Sequence, residues 1–343
     1  VLVRHTSHSP GSAASLVRIA SSIGSIYCPA MASDVHERSA RRPVDEAALA
    51  RIRRRLHAAD RAPWLHGEVA RRMAERLDVI RLQPASVVDW WAALGASRER
   101  LSQAYPQSRY LAVESDAAIA AGGAARTDAA PRARWWQPQR WLGAAAPASL
   151  PIDALQPGQA GLLWANMTLH HVADPQAEMR RWHRALQIDG FLMFSTLGPG
   201  SLSLLRELYR AAGWPPPHAA FVDMHDLGDM LVEAGFADPV MDQEQLTLTY
   251  DDPTALLLEL RALGGNADPT RFAGVRTPRW RERLRAALRE RAGGDGRIAL
   301  GFEVVYGHAF RPLPRARVAG ETRLAPDDLR AMARAGRGGT GRG

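Results

Sequence analysis

One stretch, Gly161 to Leu205, restricts what this chain can become more than any other. It opens with Leu162-Leu163-Trp164-Ala165, an apolar run too short for a helix and bounded by turn residues. A polar loop from Asn166 to Pro175 follows, and then Met179, Trp182, Ala185 and Leu186 recur near the 3.6-residue period of an amphipathic helix. Asp189-Gly190 reads as the left-handed stop of that helix, with Phe191-Leu192-Met193-Phe194 as a second buried run directly behind it. Strand, helix, strand with a short closing turn is one right-handed crossover of a parallel sheet. Ligands of open α/β sheets sit at the carboxyl ends of the strands. That places Asn166, Met167 and His170 on one pocket rim and Ser195-Thr196-Leu197-Gly198 on the next.

The flanking segments extend the pattern. Val44 to Leu82 is helical in period (Ala48, Leu49, Ile52 and Leu56, then Val69, Met73 and Leu77) and is broken in two at Pro63-Trp64-Leu65. Val87-Val88-Asp89 and Leu111-Ala112-Val113-Glu114 are short β runs. Helices are expected over Ser201 to Ala212, Met224 to Ala234, Thr254 to Leu263 and Arg279 to Glu290. Met241 to Tyr250 alternates and Ile298 to Phe310 is the last strand, so a late antiparallel pair should close an otherwise parallel sheet. The expected boundaries are an extension at 1–43, disordered and with Met31 as a natural start, one α/β domain at 44–311, and an Arg-rich disordered tail at 312–343.

Charge narrows the function classes. The net +8 is concentrated at the ends: residues 311–343 carry +5 and residues 1–33 carry +2, which leaves +1 for the globular part. A nearly neutral domain argues against a nucleic-acid binder. The chain has no lysine, so Schiff-base and lysine general-base chemistry are excluded. Its sole cysteine, Cys28, lies in the extension, which excludes an internal disulfide, a cysteine zinc site and a core thiol nucleophile. No run approaches the roughly 18 apolar residues of a membrane span. A cytoplasmic location fits this composition.

The phrases WANMTLHHVADP, WHRALQIDGFLMFSTLGPGSLSLLREL, DMHDLGDMLVEAGFADPVMD and FEVVYGHAF together resemble the class I S-adenosylmethionine-dependent methyltransferases. Within them the chain is most similar to the malonyl-acyl-carrier-protein O-methyltransferase family of biotin synthesis, over about Val87 to Arg311. The resemblance implies a Rossmann-like, seven-stranded, mostly parallel sheet with helices on both faces. It implies S-adenosylmethionine as methyl donor, and a malonyl thioester or its acyl carrier protein as partner.

Such a donor asks three things of the fold. A tight glycine loop after the first strand lets the backbone approach the ligand, an acidic residue ending the second strand accepts the ribose hydroxyls, and a polar loop follows the fourth. Asp89, Trp91, Gly95, Glu114 and Asn166 stand at the matching positions. Glu114 and Asn166 keep the expected residue types. The glycine loop departs from the pattern: Asp89-Trp90-Trp91-Ala92-Ala93-Leu94-Gly95 has Trp91 and Ala93 where the family places its first two glycines. Gln139-Arg140-Trp141 likewise lacks the carboxylate that would meet the adenine amine. Three readings follow: a rebuilt donor loop, a donor site filled by Trp91 in a non-catalytic scaffold or regulator, or a ring stacked on a Trp90/Trp91 floor.

His170, Asp223 and His225 are the candidates on the substrate side, with Asp223 also suited to cap the helix after it. No metal site is expected, because adjacent His170 and His171 should point apart and lack a third ligand at helical spacing.

Overall fold

In the computed structural model, which describes residues 2–4, 41–59, 61–115, 117–123 and 149–314, all strands join one sheet. They are β1 (Leu2–Arg4), β2 (Ser86–Trp90), β3 (Arg109–Glu114), β4 (Leu150–Pro151), β5 (Ala160–Ala165), β6 (Leu186–Leu197), β7 (Ala237–Tyr250) and β8 (Ile298–Phe310). Their order is β1-β7-β8-β6-β5-β2-β3-β4. From β2 the chain winds outward through β3 to β4, then returns to β5 and β6 on the other side. All these neighbours are parallel. β8 inserts between β6 and β7 and runs antiparallel to both, which is the expected late closure. Set apart from the three-residue β1, which pairs with the outer edge of β7, this is the seven-stranded, mostly parallel class I methyltransferase arrangement. Its switch of direction lies between β2 and β5, where an open α/β sheet leaves a crevice.

The helices are α1 (Glu46–Ala58), α2 (Trp64–Glu75), α3 (Ala92–Gly95), α4 (Arg98–Ala104), α5 (Ala117–Gly123), α6 (Pro175–Ala185), α7 (Ser203–Ala211), α8 (Met224–Glu233), α9 (Pro253–Ala262) and α10 (Pro278–Arg289). Period-2 alternation divides the sheet's side chains between two cores. Val88, Leu163, Leu192 and Val305 face one way, against Ile52 of α1, Trp182 of α6 and Leu231 of α8. Val87, Leu162, Phe191 and Val304 face the other, against Val69 of α2, Leu205 of α7, Leu256 of α9 and Leu288 of α10. Local chemistry starts the helices where the sequence suggests. Asp45, Asp174 and Asp223 each accept a backbone N–H from the first turn, and Pro175 occupies the first turn of α6.

The crossover differs from its expected form at one joint. α6 ends at Ala185, and β6 begins at once with Leu186, so Asp189-Gly190 lies inside the strand and does not cap the helix. Asp189 does adopt the left-handed region, at φ 60°, and its N–H donates to the Arg311 carbonyl. Gly190 is needed for closeness. A Cβ there would stand 2.9–3.0 Å from the carbonyl oxygens of Gln187, Ala160 and Gly161.

The sheet and its helices belong to one compact unit that ends at Pro312. The expected disordered ends fall mostly outside the described residues, as do residues 124–148 with Gln139, Arg140 and three tryptophans. No helix among the described residues is long and apolar enough to cross a membrane.

Packing between β6 and β8 depends on a glycine. Gly307 pairs with Phe194, and an added methyl would land on the Phe194 ring, which is fully buried and held against Trp182. Gly307→Ala should therefore lower stability by about 1–3 kcal/mol in urea unfolding. Pairing it with Phe194→Leu should recover part of that loss, because the smaller side chain vacates the clash.

Candidate functional site

The carboxyl ends of β2, β3, β5 and β6 converge on a short segment that a bare glycine loop would occupy in a donor-binding fold. The backbone turns out of β2 at Trp91, whose N–H donates to the Val113 carbonyl at 2.7 Å. Trp91 takes φ 58° and ψ 50°, the left-handed region that glycine enters freely and an aromatic residue enters at a cost of about 1–2 kcal/mol. The fold thus keeps the glycine conformation with a tryptophan in it. α3 follows, and the Ala93 N–H at its start donates to Glu114 Oε1 at 2.8 Å.

The donor side is filled. The Trp91 indole is 2% exposed and lies beside the His57 ring of α1, centroids 6.3 Å apart, with Arg53 at 5.8 Å from the indole centroid. His57 in turn stands 3.9 Å from Glu114 Oε2, and Glu114 is 1% exposed. One oxygen of the carboxylate that should receive a ribose is bonded to the loop backbone, and the other faces a buried imidazole. Asp89 accepts the Tyr110 hydroxyl at 2.7 Å, and burial, with the Asp89 charge beside it, pushes that phenol well above its ordinary pKa. The position above Gly95 is not open: a Cβ there would meet Ser97 Oγ at 3.3 Å and Asp89 Oδ1 at 3.4 Å. These residues, as they stand, do not fit S-adenosylmethionine. The stacking floor is not present either. Trp90 points its indole N–H at Glu178 of α6, 2.8 Å away, and neither indole offers a free face.

Asn166 is a structural keystone in this arrangement. Its Nδ2 donates to the His66 carbonyl at 2.8 Å and the Gly95 carbonyl at 2.6 Å, while its Oδ1 accepts Ser195 Oγ at 2.7 Å. Ser195 Oγ accepts the Met167 N–H at 3.0 Å. Asn166, Met167 and Ser195 are each fully buried, so this part of the expected rim lies beneath the surface, not along it.

Open space lies beside this filled region. A cavity of about 940 Å³ is bounded by α1, the ends of β5 and β6, and the loops around Ala219 and Gly264. Arg42, Arg51, Arg55, Arg261 and Arg276 line it among mostly apolar neighbours, and no carboxylate does among the described residues. His170 lines it as expected, with Leu197 of the second expected rim. Asp223 and His225 do not. Asp223 caps α8, accepting the His225 N–H at 2.8 Å, and His225 is exposed.

His170 and His171 do not point apart. Their ring centroids are 4.1 Å apart, and His66 of α2 supplies a third imidazole 6.3 Å from each. Ring nitrogens of the three lie within 4.8 Å of one another. Burial lowers all three pKa values, His66 to about 4. Sequence spacing could not reveal this group, because His66 sits on an apolar helix face between Leu65 and Val69, where a buried histidine needs no partner site.

Comparisons with known proteins agree on a family. A family model for a methyltransferase domain matches residues 47–238. The malonyl-acyl-carrier-protein O-methyltransferase of Laribacter hongkongensis is 40% identical over 263 residues, which cover 75% of this chain and 86% of the relative. Its counterpart in Gallionella capsiferriformans is 38% identical over 259 residues, 75% and 87% of the two chains. That of Halorhodospira halophila is 34% identical over 308 residues, 88% and 98%.

Because Asn166 joins two backbone carbonyls to β6, Asn166→Ala should cost roughly 2–3 kcal/mol in urea unfolding. Asn166→Asp should cost more, since it sets a carboxylate oxygen against those same carbonyls. Ser195→Ala, which removes one link, should cost least.

Proposed function

The chain belongs to the malonyl-acyl-carrier-protein O-methyltransferase family, and on that premise we propose that it acts on the free carboxylate of a malonyl thioester held by an acyl carrier protein, as a carboxyl O-methyltransferase of biotin synthesis. The single observation that carries this reading is the acceptor cavity. Five arginines and no carboxylate among its described lining select an anion, and the apolar remainder suits the carbon arm of a thioester. Its volume lies within the ordinary range for small-ligand pockets, about 300–1,000 Å³.

On this reading the arginines bind and orient the malonyl carboxylate, and the apolar walls exclude water from it. No covalent enzyme nucleophile is required. The exposed Arg206 and Arg210 on α7, whose Leu205 and Tyr209 line the cavity, offer an acidic carrier protein a complementary face. Because the donor side does not fit S-adenosylmethionine in this arrangement, activity requires that Trp91 and His57 give way.

A second reading is favoured by that same feature: a non-catalytic family member, scaffold or regulator, which holds the anionic thioester while Trp91 keeps the donor site shut. Calorimetric titration of the full chain with S-adenosylmethionine, beside an assay for methyl ester on malonyl-acyl carrier protein, separates the two. Micromolar binding with ester formation is the expected result. No heat at millimolar donor, with binding appearing in the Trp91→Gly, Ala93→Gly double variant, would establish the second reading instead.

A further inference from the structure

The three histidines beside the cavity have a chemistry that the methyltransferase reading does not use. His66 is fully buried, and its Nδ1 lies 2.8 Å from the Leu94 carbonyl. A carbonyl oxygen only accepts, so Nδ1 carries the proton and Nε2 is left as a bare lone pair. That Nε2 has no hydrogen-bond partner among the described residues, and neither has His171 Nε2. A buried lone pair without a donor is costly unless something electron-poor meets it.

His170 and His171 come from the turn Leu169–His171 that follows β5, so the group joins α2 to the carboxyl edge of the sheet. His170 Nδ1 lies 3.4 Å from Thr196 Oγ1, and the His66 ring is fixed in orientation by Leu94. Carbonyl and hydroxyl partners of this kind are what orient ligating imidazoles in metal sites. Bonds of ~2.05 Å at tetrahedral angles set ligand nitrogens about 3.3 Å apart. The nitrogens here lie within 4.8 Å, so small ring rotations would close the set.

We propose that His66, His170 and His171 form a binding site for a divalent transition metal of Zn²⁺ type, with the fourth coordination position open to the arginine-lined cavity. Three neutral nitrogens with one open position are the ligand pattern of catalytic zinc, not of magnesium or calcium, which take oxygen. The surrounding charge bears on the fourth ligand. Arg42 lies over the turn, its Nη1 donating to the His170 carbonyl at 2.7 Å and the Val172 carbonyl at 3.1 Å, and Arg53 and His57 also face the group. Their positive charge repels any divalent cation, so the bonds to imidazole, together with an anion as fourth ligand, must outweigh it. Since His170 and His171 line the cavity, that anion is a carboxylate of a molecule bound there, or hydroxide in its absence. The site stands or falls independently of whether a methyl group is transferred.

The test uses the full chain, free of any histidine tag and stripped with a chelator, titrated with Co²⁺ and then displaced by Zn²⁺. One equivalent of cobalt with the intense visible absorption of a tetrahedral site is expected, bleached by zinc. His66→Gln and His170→Asn should each weaken binding at least ~10- to 100-fold, while His225→Asn, on the exposed start of α8, should leave it unchanged. Absence of tetrahedral cobalt absorption in the folded wild-type chain would overturn the site. So would one equivalent bound with equal affinity by a folded His170→Asn, a near-isosteric change at a half-buried side chain.

Discussion

The side chain of Asn166 holds the working end of this fold together. One amide ties the end of β5 to β6 through Ser195, to α2 through the His66 carbonyl, and to the end of α3 through the Gly95 carbonyl. At full burial each of those groups is costly if left unpaired, so the four elements must close around it together. Two consequences follow. The His66 backbone is fixed where its imidazole meets the turn bearing His170 and His171, and the Gly95 end of the Trp91 loop is fixed against the sheet.

With that end anchored, the strain at Trp91 becomes intelligible. The turn out of β2 must bring Ala93 N–H to Glu114, and only a left-handed residue at 91 does so. Glycine would do this without strain. Tryptophan accepts a cost of about 1–2 kcal/mol in backbone and leaves its indole Nε1–H without a partner among the described residues. Burial of so large a ring offsets it, since an indole removed from water contributes several kcal/mol. The loop conformation of a donor site has been retained while its volume is occupied.

Much of this was legible in the sequence, and the failures share a cause. The unbroken apolar runs at Val87-Val88, Leu162-Leu163 and Phe191-Leu192 declare strands buried on both faces, and successive residues of each divide between the two cores. The absence of glycine at 91 and 93 stands out against the pattern of the family the chain resembles, and the Asp223 cap is legible from the residues themselves. What spacing cannot carry is contact between distant segments. His66 and His170 are separated by more than a hundred residues, and only the packing of α2 on α3 and the β5 end brings them together. Asn166 looked like a rim residue because it ends a strand, and its burial depends on carbonyls contributed by other elements. Asp189-Gly190 was misplaced for the same reason: the close approach that demands glycine is to Ala160 and Gly161 of the neighbouring strand, not to the helix before it.

Helix α1 couples the two halves of the site. On one side Ile52, Leu49, Arg51 and Arg55 bound the anionic cavity, and on the other His57 closes over Glu114 beside Trp91. Ala48, Leu49, Ile52 and Leu56 share one core with Trp91 and Leu94, so the helix is held as a body. A packed helix of this length moves as a rigid element, not residue by residue. The side chains that close over Glu114 and those that line the arginine-rich cavity thus stand on one helix. A ligand that draws on Arg51 and Arg55 would act on the Glu114 side only to the extent that it prefers one position of α1 over another.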